Sequence, residues 1–210
     1  MVPPFSPQPS RPDGVKEDME AVAALERDAQ LMLRVREGDE SSFALLLNQH
    51  RRPVVHFLFR MVQNQAVSEE LAQEVFLRVY RSRASYEPTA KFTTWLFRIA
   101  THVALNHIRD GKHERGHESL EEEVIEGVGR QIADRRPTVE HTMLADAKLV
   151  EVRKAIDALP AKQRAAVIMH KYHELGYDQI SKALGISESA LKSVLFRAYE
   201  NLRARLAHLA

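Results

Sequence analysis

Apolar positions recur at three- and four-residue intervals along most of the chain, the spacing of helices with one buried face. From about Glu20 the pattern runs through Leu31, Leu33 and Val35 to a break at Gly38-Asp39, where the aspartate supplies a cap. Phe43, Leu46, Leu47, Val54, Leu58 and Met61 then mark a second helix, ended by a break at Gln63 to Ala66. Ser68 is the expected cap of a third, with Glu69 and Glu70 in its first turn, an apolar stripe of Leu71, Val75 and Val79, and Phe76 and Tyr80 beside it. This helix runs to about Arg83 and carries a polar face of Glu70, Gln73, Glu74 and Arg78, which a solvated helix face would equally explain. A short loop from Tyr86 to Lys91, with Pro88, leads to a helix over Phe92 to Asp110.

That helix has Trp95, Leu96, Ile99, Val103 and Ile108 on one side and Arg98, His102, Asn106 and Arg109 on the other. Guanidinium, imidazole and amide groups along one face, next to flat rings, suit phosphate, base edges and stacked bases. Trp95 itself reads equally well as core. Gly111 to Thr138 is rich in charge and broken by Gly111, Gly116, Gly127, Gly129 and Pro137, which predicts an extended linker. Helices resume at about Leu144, through Leu149, Val152, Ile156 and Leu159 to Pro160, and then Ala165, Val167, Ile168 and Tyr172.

The segment Tyr177 to Ala198, YDQISKALGISESALKSVLFRA, reads as a helix-turn-helix. Gly185 ends the first helix, because glycine alone takes a positive φ without steric cost, and Ser187 caps the second. Ile180, Leu184, Ile186, Leu191 and Leu195 would lock the pair, leaving Glu188, Ser189, Lys192, Ser193 and Arg197 outward, as a helix entering a major groove presents its residues. An αα-hairpin in any helical protein would show the same pattern. No strand-like alternation, glycine-rich phosphate loop or internal repeat appears, so the expectation is an all-α chain in two helical bundles.

Composition narrows this picture. Of 210 residues, 44% are hydrophobic and 28% charged, and the formal net charge is +1, so any nucleic-acid contact must be local rather than a coat of positive charge. The absence of cysteine excludes disulfides and thiolate metal sites, and no apolar run is long enough to cross a bilayer. Without a signal-like N-terminus, a soluble cytoplasmic protein is expected. Pro3, Pro4, Pro7, Pro9 and Pro12 place a disordered tail at the start.

His113-Glu114-Arg115-Gly116-His117 matches the H-E-x-x-H zinc signature, with Glu140 or His141 as a formal third ligand. That chemistry needs a rigid helix with an apolar flank. Gly116 and the charged surroundings argue against it, and His170 with His173 is discounted likewise. No cofactor or metal is expected.

With both halves laid out, the chain resembles an extracytoplasmic-function (ECF) sigma factor over roughly residues 28 to 207. The motifs are GDESSF (Gly38 to Phe43), ELAQEVFLRVYR (Glu70 to Arg81), FTTWLFRIA (Phe92 to Ala100), ALP (Ala158 to Pro160), YDQISKALGIS and ALKSVLFRA, in that order. The resemblance implies a transcription initiation factor that performs no covalent chemistry. It implies a tail and lead-in over residues 1–27, a region 2 domain over 28–112, a flexible linker over 113–142 and a region 4 domain over 143–210.

The resemblance also assigns residues. Glu70, Leu71, Gln73, Glu74, Phe76 and Arg78 would dock on the clamp helices of the polymerase β′ subunit. Glu87, Pro88, Thr89, Ala90 and Lys91 would capture a base flipped from the melted −10 strand, aided by Trp95, Arg98, His102, Asn106 and Arg109. Ser187, Glu188, Ser189, Ala190, Lys192, Ser193 and Arg197 would read the −35 element. Core RNA polymerase, including its β flap, promoter DNA and an anti-sigma protein are the implied partners. Three positions depart from the family pattern: His102 where asparagine is usual, Ala190 and Val194 where threonine and arginine are common, and Ser181 in place of a small alanine.

Overall fold

A computed structural model describes residues 27–117 and 139–209, with side chains over 27–111 and 148–209. Every regular element among these residues is helical. Residues 27–36 form α1, followed by α2 (Glu40–Val62), α3 (Gln65–Arg81), a 3₁₀ turn (Arg83–Ser85) and α4 (Phe92–His117). The second group is α5 (Val139–Asp157), α6 (Ala161–Tyr172), α7 (Tyr177–Leu184) and α8 (Glu188–Leu206), closed by a 3₁₀ turn (Ala207–Leu209).

Local chemistry explains most of the boundaries. Asp39 caps α2 by accepting from the Ser41 and Ser42 amides, and both hydroxyls donate to the same carboxylate. Those hydrogen bonds hold the Asp39 carboxyl at a pKa of about 2. α2 ends at Gln63 in the left-handed conformation, φ 56°. Pro53 lies inside α2, so the ladder there lacks one amide donor.

The third helix begins earlier than its sequence suggests. Asn64 is the cap, accepting from the Val67 amide, and Ser68 is a buried residue of the first turns whose hydroxyl donates back to the Asn64 carbonyl. Glu69 and Glu70 therefore sit beyond the first turn. The other two differences concern the linker: α4 continues through Gly111 to His117 rather than ending at Asp110, and α5 is helical from Val139 rather than from about Leu144. Residues 118–138 and the proline-rich tail, expected as linker and disordered segment, lie outside the described residues, as do the side chains of His113, His117, Glu140 and His141, considered as zinc ligands.

The first bundle packs Leu46, Phe57, Leu58 and Met61 of α2 against Val75 and Val79 of α3 and Phe92, Leu96 and Ala100 of α4. Buried Asp28 of α1 accepts from His50 Nε2 at 2.9 Å and from Gln49, tying α1 to α2. In the second bundle Ile168 and Met169 of α6, Ile180 and Ala183 of α7, and Leu191, Leu195 and Ala198 of α8 form the centre. Leu149, expected on the apolar face of α5, is instead 53% exposed.

The two bundles also pack on each other, with α2 and α4 against α6 and α7. Arg164 of α6 donates to the Met61 carbonyl at 2.6 Å and to the Asp157 carbonyl, so one guanidinium joins α2 to the α5–α6 corner. Arg60 lies over the Tyr172 ring at 4.1 Å, and His173 sits against Phe97 and Phe57, centroids 4.7 and 5.9 Å away.

Candidate functional site

The turn between α7 and α8 is built as its residues dictate. Gly185 has φ 64°, and its amide closes the end of α7 on the Ser181 and Lys182 carbonyls. Gln179 accepts from the Gly176 amide at the other end, fixing the start of α7. Ser181, at the helix crossing, is buried with its hydroxyl satisfied by the Asp178 carbonyl, so this polar substitute is accommodated without an orphaned group. Ser187 caps α8, accepting from the Ala190 amide at 3.2 Å.

With Ile180, Leu191 and Leu195 buried against one another, the opposite face of α8 is forced outward. Ser187, Glu188, Ser189, Ala190, Lys192, Ser193 and Arg197 are all exposed. Ser193 donates to the Ser189 carbonyl and Arg197 Nε to the Ser193 carbonyl, which leaves the terminal guanidinium nitrogens of Arg197 and the Lys192 ammonium directed at solvent. Between them Phe196 is 66% exposed, the most exposed large hydrophobic residue among the described ones. Together Lys192, Ser193, Phe196 and Arg197 line one shallow open groove. Phe196 escaped the sequence reading because the apolar period leads to Leu191 and Leu195 and then skips it. An aromatic residue out of phase with the buried stripe was the available signal.

On α4 the strip of Arg98, His102, Asn106 and Arg109 is exposed along its length, while Leu96, Phe97, Ala100, Val103 and Ala104 face the core. Trp95 is half-buried and packs edge-on against Tyr86 at 4.9 Å and tilted against Phe92 at 5.9 Å. It thus serves the core and still presents part of its ring beside the 87–91 loop. Tyr86 anchors that loop: it is 2% exposed, accepts from Arg36 of α1 through its carbonyl, and its phenol pKa is raised by burial and then by Asp28. Glu87, Pro88, Thr89 and Lys91 are exposed and Ala90 half-buried, in a tight turn closed by the Thr89 amide on the Glu87 carbonyl.

The outer face of α3 differs from expectation in one place. Phe76 is 5% exposed, inside the core beside Val75 and Val79, and takes no part in any surface. The neighbouring residue Leu77 takes that place, 48% exposed, alongside Glu70, Gln73 and Arg78. Glu74 and Leu71 are half-buried, and Glu74 holds Arg78 by an ion pair at 2.6 Å. A leucine ringed by polar groups is a surface suited to a partner protein.

Of the histidines considered for metal chemistry, His170 and His173 serve packing. His170 pairs with the Tyr199 hydroxyl at 2.9 Å, and His173 faces away into the rings of Phe57 and Phe97. The His113 to His117 segment continues the backbone of α4.

Three separate surfaces therefore emerge on one helical scaffold: the basic and aromatic face of α8, the polar strip of α4 with its aromatic-anchored loop, and the leucine-centred face of α3. Sigma-70 region 2 matches residues 46–114 and sigma-70 region 4 matches residues 149–202. The chain is 33% identical to the RNA polymerase sigma factor CarQ of Myxococcus xanthus, over 85% of its own length and 97% of that protein. It is 29% identical to the ECF RNA polymerase sigma factor SigW of Bacillus subtilis, over 84% and 95%.

Among solved structures, CnrH in complex with the cytosolic domain of CnrY shares the fold at a TM-score of 0.64 and 17% identity, covering 88% of this chain and 99% of that one. The sigma factor RpoE from Bartonella quintana, in complex with the anti-sigma factor NepR, does so at 0.61 and 21%, covering 79% and 96%. The matched region 2 and region 4 segments coincide with the two bundles, and the chain belongs to the ECF sigma factors of bacterial RNA polymerase.

Proposed function

We propose that each of the three surfaces carries one part of the sigma-factor task. The observation that bears most weight is the α8 face, where Lys192, Phe196 and Arg197 stand exposed behind a helix capped by Ser187. Such a face fits the duplex −35 element: the cations meet phosphate or guanine edges, and the Phe196 ring meets thymine methyls. Ala190 and Val194 add no donor, so discrimination there falls on the neighbouring side chains.

The Glu87 to Lys91 loop and the strip of Arg98, His102, Asn106 and Arg109 would take the melted −10 strand, with the exposed part of Trp95 as a stacking edge. Extruding a base costs a few kcal/mol, offset by pocket contacts and stacking. Glu70, Leu71, Gln73, Glu74 and Arg78, with Leu77 in place of Phe76, would dock on the β′ clamp helices, while region 4 meets the β flap. The functional units are a region 2 domain over 28–112 and a region 4 domain over 143–210, joined by 113–142. The factor works in the cytoplasm as a polymerase subunit under an anti-sigma protein, by directed binding with no covalent step.

In-vitro transcription with core polymerase on a pool of random promoters tests this. The chain is expected to select start sites preceded by a common −35 and −10 pair, and the Lys192→Ala variant to lose that selection. Transcription that does not depend on the added chain would overturn the reading.

A further inference from the structure

The loop from Glu87 to Lys91 is bracketed by two buried aromatic residues, Tyr86 before it and Phe92 after it. Trp95 packs on both rings, 4.9 Å from Tyr86 and 5.9 Å from Phe92. Whatever sets those two rings therefore sets the loop and the exposed edge of Trp95 together.

One buried pair lies behind both. Asp28 of α1 and His50 of α2 are 4% and 6% exposed and are joined at 2.9 Å through His50 Nε2. The His50 imidazole lies against the Phe92 ring, centroids 5.3 Å apart. On the other side the Asp28 charge is felt at Tyr86, where it adds to burial in raising the phenol pKa. Arg36, about two turns further along α1, donates to the Tyr86 carbonyl at 3.4 Å. The Tyr86 hydroxyl is buried without a hydrogen-bond partner among the described residues, so the ring is held by α1 and the neighbouring rings and not by a bond of its own.

A buried ionisable pair is costly to desolvate, and apolar residues of similar size often hold a fold as well. What such a pair supplies is a directed bond, which fixes distance and angle. Asp28 also accepts from Gln49 at 3.1 and 3.2 Å, so two residues of α2 fix its carboxylate. Asp28 and Arg36 stand ahead of the residues that match region 2, on a helix that carries none of the three surfaces.

We propose that Asp28, His50 and Arg36 are positioning residues for the −10 pocket: acting through Tyr86 and Phe92, they set the 87–91 loop and the Trp95 edge that receive the extruded base. Asp28 and His50, buried as they are, touch no DNA themselves. The inference rests on the −10 reading and adds to it the part of the chain that holds the pocket in shape. Misplacing positioning groups by about 1 Å can cost roughly a hundredfold, so the effect falls on base capture and spares polymerase docking and the −35 contact.

Asp28→Leu combined with His50→Leu removes the bond and keeps the interior filled. Holoenzyme made with this variant is compared with the native one on promoter fragments carrying 2-aminopurine at each −10 position in turn, whose fluorescence rises when the base leaves the stack. The double variant is expected to bind polymerase and −35 DNA normally and to lower base capture by roughly tenfold or more. Asp28→Asn, which still accepts from His50 and Gln49, should capture as the native chain does. Arg36→Ala, at an exposed position, should give a smaller loss. Trp95 is the only tryptophan, so its emission in the free chain reads the platform directly and should shift in the double variant but not in Asp28→Asn.

Native capture in both the double variant and Arg36→Ala would overturn the proposal, as would an equal loss in Asp28→Asn. Should circular dichroism show the double variant unfolded, Arg36→Ala and Asp28→Asn decide by the same measures. Glu87→Ala combined with Lys91→Ala checks the −10 reading separately. If that loop variant captures normally, the reading fails, and the Trp95 emission of the free chain alone supports or overturns the positioning role.

Discussion

Arg164 reaches across 103 residues of sequence to donate a 2.6 Å hydrogen bond to the carbonyl of Met61, at the end of a helix in the other bundle. The same guanidinium also donates to the Asp157 and Leu159 carbonyls, so a single side chain holds both the corner of its own bundle and its neighbour. Helix ends leave carbonyls unpaired, and Met61 lies in the last turn of α2, where an arginine is a favoured partner.

His173 makes this seam sensitive to acid. Burial, followed by the charges of Arg60 and His56, depresses its pKa to about 4 from 6.5. A neutral imidazole is thus favoured in the folded state, so its contribution is complete above pH 6.5 and is lost as pH falls toward 4. The loss is steepest midway through that window, at no more than about 1 kcal/mol per pH unit. Urea midpoints measured from pH 7 to 4 should fall less steeply for His173→Phe than for the native chain; superimposable profiles would remove His173 from the account.

Phe76 and Leu77 are neighbours with opposite fates, and their alanine variants should separate accordingly. Phe76→Ala hollows the first core and should cost about 3–5 kcal/mol, read as a lowered Tm. Leu77→Ala should change stability by no more than about 0.5 kcal/mol while weakening polymerase association in co-purification. Equal behaviour of the two variants in both assays would contradict the assignment of α3.

Phe196 stands clear of the core, so Phe196→Ala should leave Tm unaltered. Its effect should appear on −35 elements carrying thymine where the ring meets the groove, as a loss of about 1–3 kcal/mol, roughly five- to 150-fold in relative transcription. A uniform loss over all promoters would point instead to a contact with the DNA backbone.

Gly185→Ala meets no steric obstacle, since nothing lies within 4 Å of the added carbon, yet φ is +64°. The expected cost is therefore conformational, about 1–2 kcal/mol, and Gly185→Asn should recover part of it. Chemical denaturation of both variants measures this; an alanine variant as stable as the native chain would show that the turn relaxes.

The sequence by itself determined what local chemistry and periodicity control. The helix-turn-helix was legible because Gly185 and Ser187 act within one turn and because Ile180, Leu191 and Leu195 repeat at helical spacing. The outward strip of Arg98, His102, Asn106 and Arg109 followed from the same periodicity. Where two local signals compete, pattern alone is mute. Asn64 and Ser68 are both capping residues one turn apart, and the packing of α3 on α2 chose the first, burying the second.

Tertiary structure also decided which aromatic groups are core. Phe76 and Phe196 each lie at the edge of an apolar stripe, but the neighbouring helices cover one and leave the other in solvent. The joining of the bundles was invisible for a plainer reason. It includes pairs far apart in sequence, Arg60 with Tyr172, Arg164 with Met61, His173 with Phe57 and Phe97, which no repeating pattern couples. Periodicity records which face of a helix is buried; what buries it is set only when the chain folds back on itself.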